Sequence, residues 1–267
     1  MCTLIFLYNF LDGFPIIAMH NRYAPLISKE VPPRFLKGRF NVYSPLDTYS
    51  RGSWIGLNNK GLFAAITDQN TIEKGKAFRS RGLLLIDLLT SFSDAHNALT
   101  YLKKELTKGY YKKGNFILAD PDEAYHVLYD ERIEVKILNH GINVFTNLTV
   151  EDWMNVERIP PDVLRYVEMR KNRAMELASK IKPTRINDII ERLKMISSDH
   201  HGGPGRGSIC YHDNRGERYM SSSTIIAISN KLEKSKILYC RGNPCKSEFI
   251  DYNYSNILLY GDENGDF

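Results

Sequence analysis

The sequence predicts an α+β chain in which two antiparallel sheets lie face to face with pairs of helices outside them. Three observations predict it. Elements run strands, helices, strands, helices, strands along 267 residues. The strands are joined by short turn signals, which make antiparallel neighbours. The helical patterns come in two pairs, and placing one pair on each outer sheet face would bury every apolar face. A 43% hydrophobic and 25% charged composition supplies a sizeable core and excludes global disorder.

The elements follow in order. Residues 3–8 are apolar and β-prone, Asp12-Gly13 signals a turn, and residues 14–20 resume the apolar run, so a hairpin is expected. Residues 21–53 carry Pro25, Pro32, Pro33 and Pro45 and little periodicity, and read as a long loop with short extended pieces. A second hairpin joins 54–58 to 62–67 through Asn59-Lys60-Gly61. Residues 83–89 are an apolar helical segment. Asp94 and Ser93 offer caps for a helix over 95–106, where Ala95, Ala98, Leu99, Leu102 and Leu106 keep helical spacing. Strands are expected at 115–119, 124–129, 133–138 and 142–146. Helices are expected at 162–180 and 185–197, separated at Pro183. The glycine-rich stretch 201–207 must be loop. Strands at 208–212, 224–229, 236–240 and 249–254 close the chain. No repeat, low-complexity segment or linker interrupts it, so residues 1–267 read as one domain.

Composition narrows the function. The net charge of +5 is mild and spread along the chain, which argues against a nucleic-acid partner. No apolar run is long enough to span a membrane as a helix. The N-terminus lacks the basic region of a secretion signal, so a cytoplasmic protein is expected. Four cysteines, Cys2, Cys210, Cys240 and Cys245, are too few for a disulfide scaffold, and a Cys240–Cys245 bridge has no support. With no Cys-x-x-Cys pair a structural zinc is not expected, and Asp199-His200-His201 is a weak metal signal because adjacent histidines seldom converge on one ion. No metal and no cofactor are therefore predicted, and a homo-oligomer is left open.

Position 2 is the informative one. Removal of Met1 alone would leave a cysteine carrying both a thiol and a free α-amine. The amine titrates near ~8 and the thiol near ~8.5, so the amine can take the thiol's proton. One residue would then be nucleophile and base. The plainer alternative is a small apolar residue opening a strand.

Several motifs in order bear on that choice. They are Cys2-Thr3 at a strand start, Asn21-Arg22 at the hairpin return, Asn59-Lys60-Gly61-Leu62, Phe145-Thr146-Asn147, Ser208-Ile209-Cys210, Ser223-Thr224-Ile225-Ile226 and Arg241-Gly242-Asn243-Pro244. Together they resemble the N-terminal-nucleophile hydrolases of the linear-amide group. That group includes choloylglycine hydrolases, penicillin V acylases and acyl-coenzyme A:6-aminopenicillanic acid acyltransferases, and the C-terminal half is most similar to the last. Asn21-Arg22 is also similar to proteins named for an Asn-Arg-Asp-Glu motif. The resemblance implies a four-layer αββα sandwich and attack by Cys2 on a non-peptide amide. A thioester would form and pass to water or to an amine. The implied partner is a small N-acyl amide with an apolar or aromatic acyl group, or acyl-CoA as co-substrate.

The resemblance also implies site residues. Asn147 matches the oxyanion-hole asparagine, an uncharged donor aimed at the developing charge. Tyr23 stands where an aspartate usually contacts the nucleophile's amine, and Asp68 where an asparagine is usual. An ionised carboxylate would repel an oxyanion, so Asp68 is expected to hold the α-ammonium instead. His20 replaces the arginine of the bile-salt branch, and Tyr211 replaces the arginine after Ser-Ile-Cys. Both are expected to contact substrate. These departures leave a second reading, a member that binds an apolar ligand in the same pocket without catalysis; a peptidase is a weaker third.

Overall fold

The computed structural model describes residues 2–71, 78–201, 203–212 and 218–252. The first sheet is built from β1 (Thr3–Leu11), β2 (Phe14–Pro25), β10 (Gly141–Thr146), β11 (Arg218–Ile228), β12 (Lys236–Arg241) and β13 (Ile250–Asp251). Its order is β10-β1-β2-β11-β12-β13, antiparallel throughout. The second holds β3 (Glu30–Leu36), β4 (Val42–Asp47), β5 (Ile55–Asn58), β6 (Phe63–Asp68), β7 (Gly114–Ala119), β8 (Ala124–Tyr129) and β9 (Ile133–Ile137), in chain order and again antiparallel.

Alternation along β1 explains the layers. Leu4, Phe6 and Tyr8 point inward and meet Phe63, Ile117 and Ile226 between the sheets. Ile5 and Leu7 point outward and pack under α3 (Pro161–Ala178) and α4 (Ile186–Ser197), against Ala174, Ile189 and Leu193. On the other side α1 (Arg81–Ser91) and α2 (Ala95–Leu106) cover the second sheet through Leu84, Leu88, Ala98 and Leu102. A strand buried on both faces reads as the continuous apolar run seen at 3–8. The result is the four-layer αββα arrangement. Among the described residues no helix is long and apolar enough to cross a membrane.

Three expectations are corrected. The segment 21–53 is mostly strand, because β2 continues to Pro25 and β3 and β4 follow it. Pro32 and Pro33 are tolerated in β3 because it is an edge strand paired only with β4, with the register slipping between Val31 and Arg34. Residues 208–212 are not a strand. Their amides bond to loop carbonyls instead: Ser208 to Gly205, Cys210 to Asp199 and His212 to Pro204. The C-terminal strand is short, and the expected residues 253–254 lie outside the described ones. All four cysteines are free thiols, so Cys240 and Cys245 are not bridged.

The Asn59-Lys60-Gly61 motif has a structural role. Asn58 Oδ1 accepts from the amides of Lys60 and Leu62, and its Nδ2 donates to the carbonyls of Leu89 and Phe92 at 2.8 and 2.7 Å. That fastens the hairpin to the end of α1. Gly61 sits at φ +87°, where a side chain would be strained.

Candidate active site

Cys2 stands one residue before β1. Thr3 pairs with Thr146 of β10 on one side and Asn21 of β2 on the other. One step beyond those pairs, the ladder therefore brings Asn147 and Arg22 to either side of Cys2. Alternation gives Cys2 the inward face shared by Leu4 and Phe6. The sheets part at that end, and Cys2, though only 6% exposed, lines a cavity of about 240 Å³.

The cavity walls come from both sheets and from the first turn of α1. Arg22 crosses one wall, paired with Asp47 at 2.6 Å and Glu30 at 3.4 Å, with its guanidinium 3.9 Å from the Trp54 ring centre. Burial opposes ionisation of both carboxyls. It wins at Glu30, which is held above the usual range, whereas bonds from Ser28 and Arg22 win at Asp47 and hold it below. On the opposite wall Asp68 pairs with Arg81 at 2.5 Å. The loop at Gly52 and the start of α1 at Gly82 touch backbone to backbone. A Cβ on Gly82 would lie 2.8 Å from the Ser53 carbonyl oxygen, and one on Gly52 2.6 Å from the Gly82 carbonyl carbon. Two glycines thus set the width of the cavity on this side.

Asn147 is held from three directions. Thr67 Oγ1 donates to the Thr146 carbonyl at 2.7 Å, and the Asn70 amide donates to the Asn147 carbonyl at 2.8 Å. The third hold is Arg170 of α3, whose Nη2 donates to Asn147 Oδ1 while its Nη1 donates to the Arg206 carbonyl at 2.7 Å. An arginine can only donate, so the contact settles which way the amide faces. Nδ2 is left without a hydrogen-bond partner among the described residues.

Arg170 is fully buried. Burial lowers its pKa to about 10, and negative charge on Tyr23 or Cys2 would push it back up, so it is cationic at neutral pH. Sequence reasoning missed it. The available signal was its place on the buried stripe of α3, with Val167, Ala174 and Ala178 at helical spacing.

Of the residues expected in the site, Cys2, Tyr23 and Asp68 line the cavity, and Asn147 adjoins Cys2 through the ladder. Tyr23 does not replace a carboxylate. Its hydroxyl donates to the Tyr211 carbonyl at 3.1 Å and accepts from the Tyr211 amide. Burial drives its pKa well above that of a free phenol, so it stays neutral. Tyr211 is a buried packing residue with its ring centre 5.3 Å from that of Tyr23, and it is not among the residues lining the cavity. His20 is corrected too. It is wholly buried between the sheets, away from the cavity walls, and burial lowers its pKa to about 3. Asn21 is likewise structural, its Nδ2 donating to the carbonyls of Ser197 and Ile209 at 2.9 and 3.1 Å.

The family model of Transport and Golgi organisation 2 (TANGO2) matches residues 1–238. The chain belongs to that family. Solved structures share its fold. Penicillin V acylase from Agrobacterium tumefaciens superposes with a TM-score of 0.55 at 14% identity, covering 97% of this chain and 88% of the acylase. The C2A mutant of conjugated bile acid hydrolase from Clostridium perfringens gives 0.53 at 15% identity, over 95% and 97% of the two chains. The Caenorhabditis elegans N-acylethanolamine-hydrolyzing acid amidase ortholog gives 0.50 at 11% identity, over 85% and 92%. No curated protein matches by sequence. The resemblance to linear-amide hydrolases thus holds for the fold, and the family is TANGO2.

Proposed function

We propose that this TANGO2-family chain is a cysteine-nucleophile acyl-transfer enzyme acting on a small non-peptide amide. The observation that carries this reading is the placing of Cys2 at the mouth of β1, on a cavity and beside an asparagine whose amide is turned by a buried arginine. With Met1 removed, the α-amine accepts the thiol proton as Sγ attacks the amide carbonyl carbon. Asn147 Nδ2 donates to the oxyanion, and the Arg170 charge behind it favours the same state. The C–N bond then breaks and the ammonium proton passes to the departing nitrogen, leaving a thioester. Water, or a second amine, adds to the thioester as the α-amine takes its proton; the C–S bond then breaks, and the proton passes from the ammonium to the departing sulfur, restoring the thiol and the free α-amine.

The cavity bears on substrate class. Its volume lies below the roughly 300–1,000 Å³ of pockets for drug-sized ligands, and Arg22, Asp47, Asp68 and Arg81 set charged groups among its lining. This favours a short or polar acyl group over the bulky apolar one expected from the sequence.

Intact mass spectrometry after a brief pulse with an activated acyl ester tests the reading. The expected result is a chain lacking Met1 that gains one acyl group, with no gain in Cys2→Ala. Retained Met1 or an adduct elsewhere would overturn it. The binding-only alternative has its own support, since Tyr23 is committed to Tyr211 and Asp68 to Arg81. The acyl pulse itself separates the two, and Asp68→Ala then tests the part of Asp68: a role in holding the α-ammonium predicts acylation slowed at least about tenfold, equivalent to about 1.4 kcal/mol, whereas an unchanged rate removes Asp68 from the mechanism.

A further inference from the structure

Next to Tyr211 in the chain, four side chains from three separate segments converge. His200 follows α4, Cys210 and His212 lie on the loop 203–212, and Cys245 lies in the turn after β12. Their ligand atoms all lie within 4.8 Å of one another. The two Nε2 atoms are 3.0 Å apart and the two Sγ atoms 3.7 Å, while His212 Nε2 lies 3.3 Å from Cys245 Sγ and 3.9 Å from Cys210 Sγ.

We propose that His200, Cys210, His212 and Cys245 form a tetrahedral Zn²⁺ site. Four of the six separations lie close to the edges of a tetrahedron around one ion. Zn–S bonds of about 2.3 Å and Zn–N bonds of about 2.05 Å at tetrahedral angles put S···S at about 3.8 Å, N···N at about 3.3 Å and S···N at about 3.6 Å. Two imidazoles and two thiols are also the donor set of a closed structural zinc site. Binding releases two thiol protons to solvent, and the two thiolates neutralise the ion. Cys245 is exposed and both histidines are half-buried, which gives the ion a way in, while Cys210 anchors the inner side. Asn243 supports the sulfur: its Nδ2 lies 3.6 Å from Cys210 Sγ and 3.1 Å from the Tyr211 carbonyl. The ion would clamp three segments that share few backbone hydrogen bonds and would fix the backbone that holds Tyr23. Sequence reasoning missed the site because the ligands are spread from residue 200 to residue 245 without a Cys-x-x-Cys pair.

The test uses the full chain, without a histidine tag, purified under reducing conditions. Metal analysis is expected to find one Zn²⁺ per chain. Co²⁺ added to chelator-stripped protein is expected to give sulfur-to-cobalt charge transfer and intense tetrahedral d–d bands, bleached by Zn²⁺. Cys245→Ser and His200→Ala should lose the bands, whereas His201→Ala and Cys2→Ala should keep them. Wild-type protein that is fully reduced yet shows no tetrahedral cobalt spectrum and no retained zinc would overturn the site. So would a Cys210–Cys245 disulfide forming in the presence of excess Zn²⁺. Neither result bears on acylation of Cys2, which is read separately.

Discussion

Arg170 Nη2 donates to Oδ1 of Asn147, and this one contact from helix to sheet turns the asparagine's amide nitrogen away from the helix layer. The arginine is wholly buried, so the bond is made without competition from water, and the guanidinium brings a positive charge close to the end of β1. Asn147 alone would be free to rotate its amide; with Arg170 behind it, the donor is preset.

Removing that donor should therefore cost acylation, and, because it leaves the buried Arg170 short of a partner, some stability as well. Asn147→Ala is expected to slow the mass-spectrometric acylation of Cys2 by about 10²–10³, the usual loss for one oxyanion donor. Arg170→Met should slow it too, through Asn147. Because it also strands Asn147 Oδ1 and the Arg206 carbonyl, it should lower stability in urea by about 1–3 kcal/mol. Acylation at the wild-type rate in Arg170→Met would show that the asparagine needs no positioning.

The meeting of Gly52 and Gly82 makes a second prediction. A methyl group on Gly82 would fall 2.8 Å from the Ser53 carbonyl oxygen and 2.9 Å from its nitrogen, contacts with backbone that cannot swing aside. Gly82→Ala should destabilise the fold by about 1–3 kcal/mol, as overpacking does, and should widen the cavity as the loop retreats. Urea unfolding checks the first part. An unchanged midpoint would mean that the loop shifts without resistance.

Acid sensitivity follows from two buried histidines. Burial lowers His20 to about 3, and His126, which faces Asn115 at 2.9 Å, to about 4. Both fall below the unfolded value of about 6.5, so the unfolded chain binds the extra protons. Stability from this source is fully present above about pH 6.5 and is lost as pH falls through the window down to about 4 and then 3, at up to about 1.4 kcal/mol per pH unit per histidine. His20→Met keeps an apolar side chain of similar reach and removes one titrating group. The melting temperature of that variant should fall less steeply between pH 6 and pH 4, values chosen to lie within that window. Parallel curves for the two proteins would place His20's proton uptake elsewhere.

How much of this was legible in the sequence depends on the range of the interaction. The hairpin at 3–20, the strands from 115 to 146 and the helix over 95–106 follow from apolar periodicity and turn chemistry. Those signals act over a few residues and survive in the fold. The nucleophile candidate was legible for a similar reason, since position 2 alone supplies a thiol and an amine on one residue. The proline-bearing β3 defeated the same rules because an edge strand needs only one partner, and the sequence does not say which strand is an edge.

The sequence by itself determined the fold class and most of the element order, and it singled out Cys2 as a candidate. Tertiary structure decided which polar residues work together. His20 and Arg22 alternate to the same face of β2, yet one is sealed in the core and the other stacks on Trp54 at the cavity wall. Arg170 reaches Asn147, and Cys245 reaches His212, only because helices and turns distant in the chain are packed together. Periodicity carries information about which face a residue takes. Contacts between residues far apart in the chain arise when the packed layers close, and local chemistry cannot encode their partners.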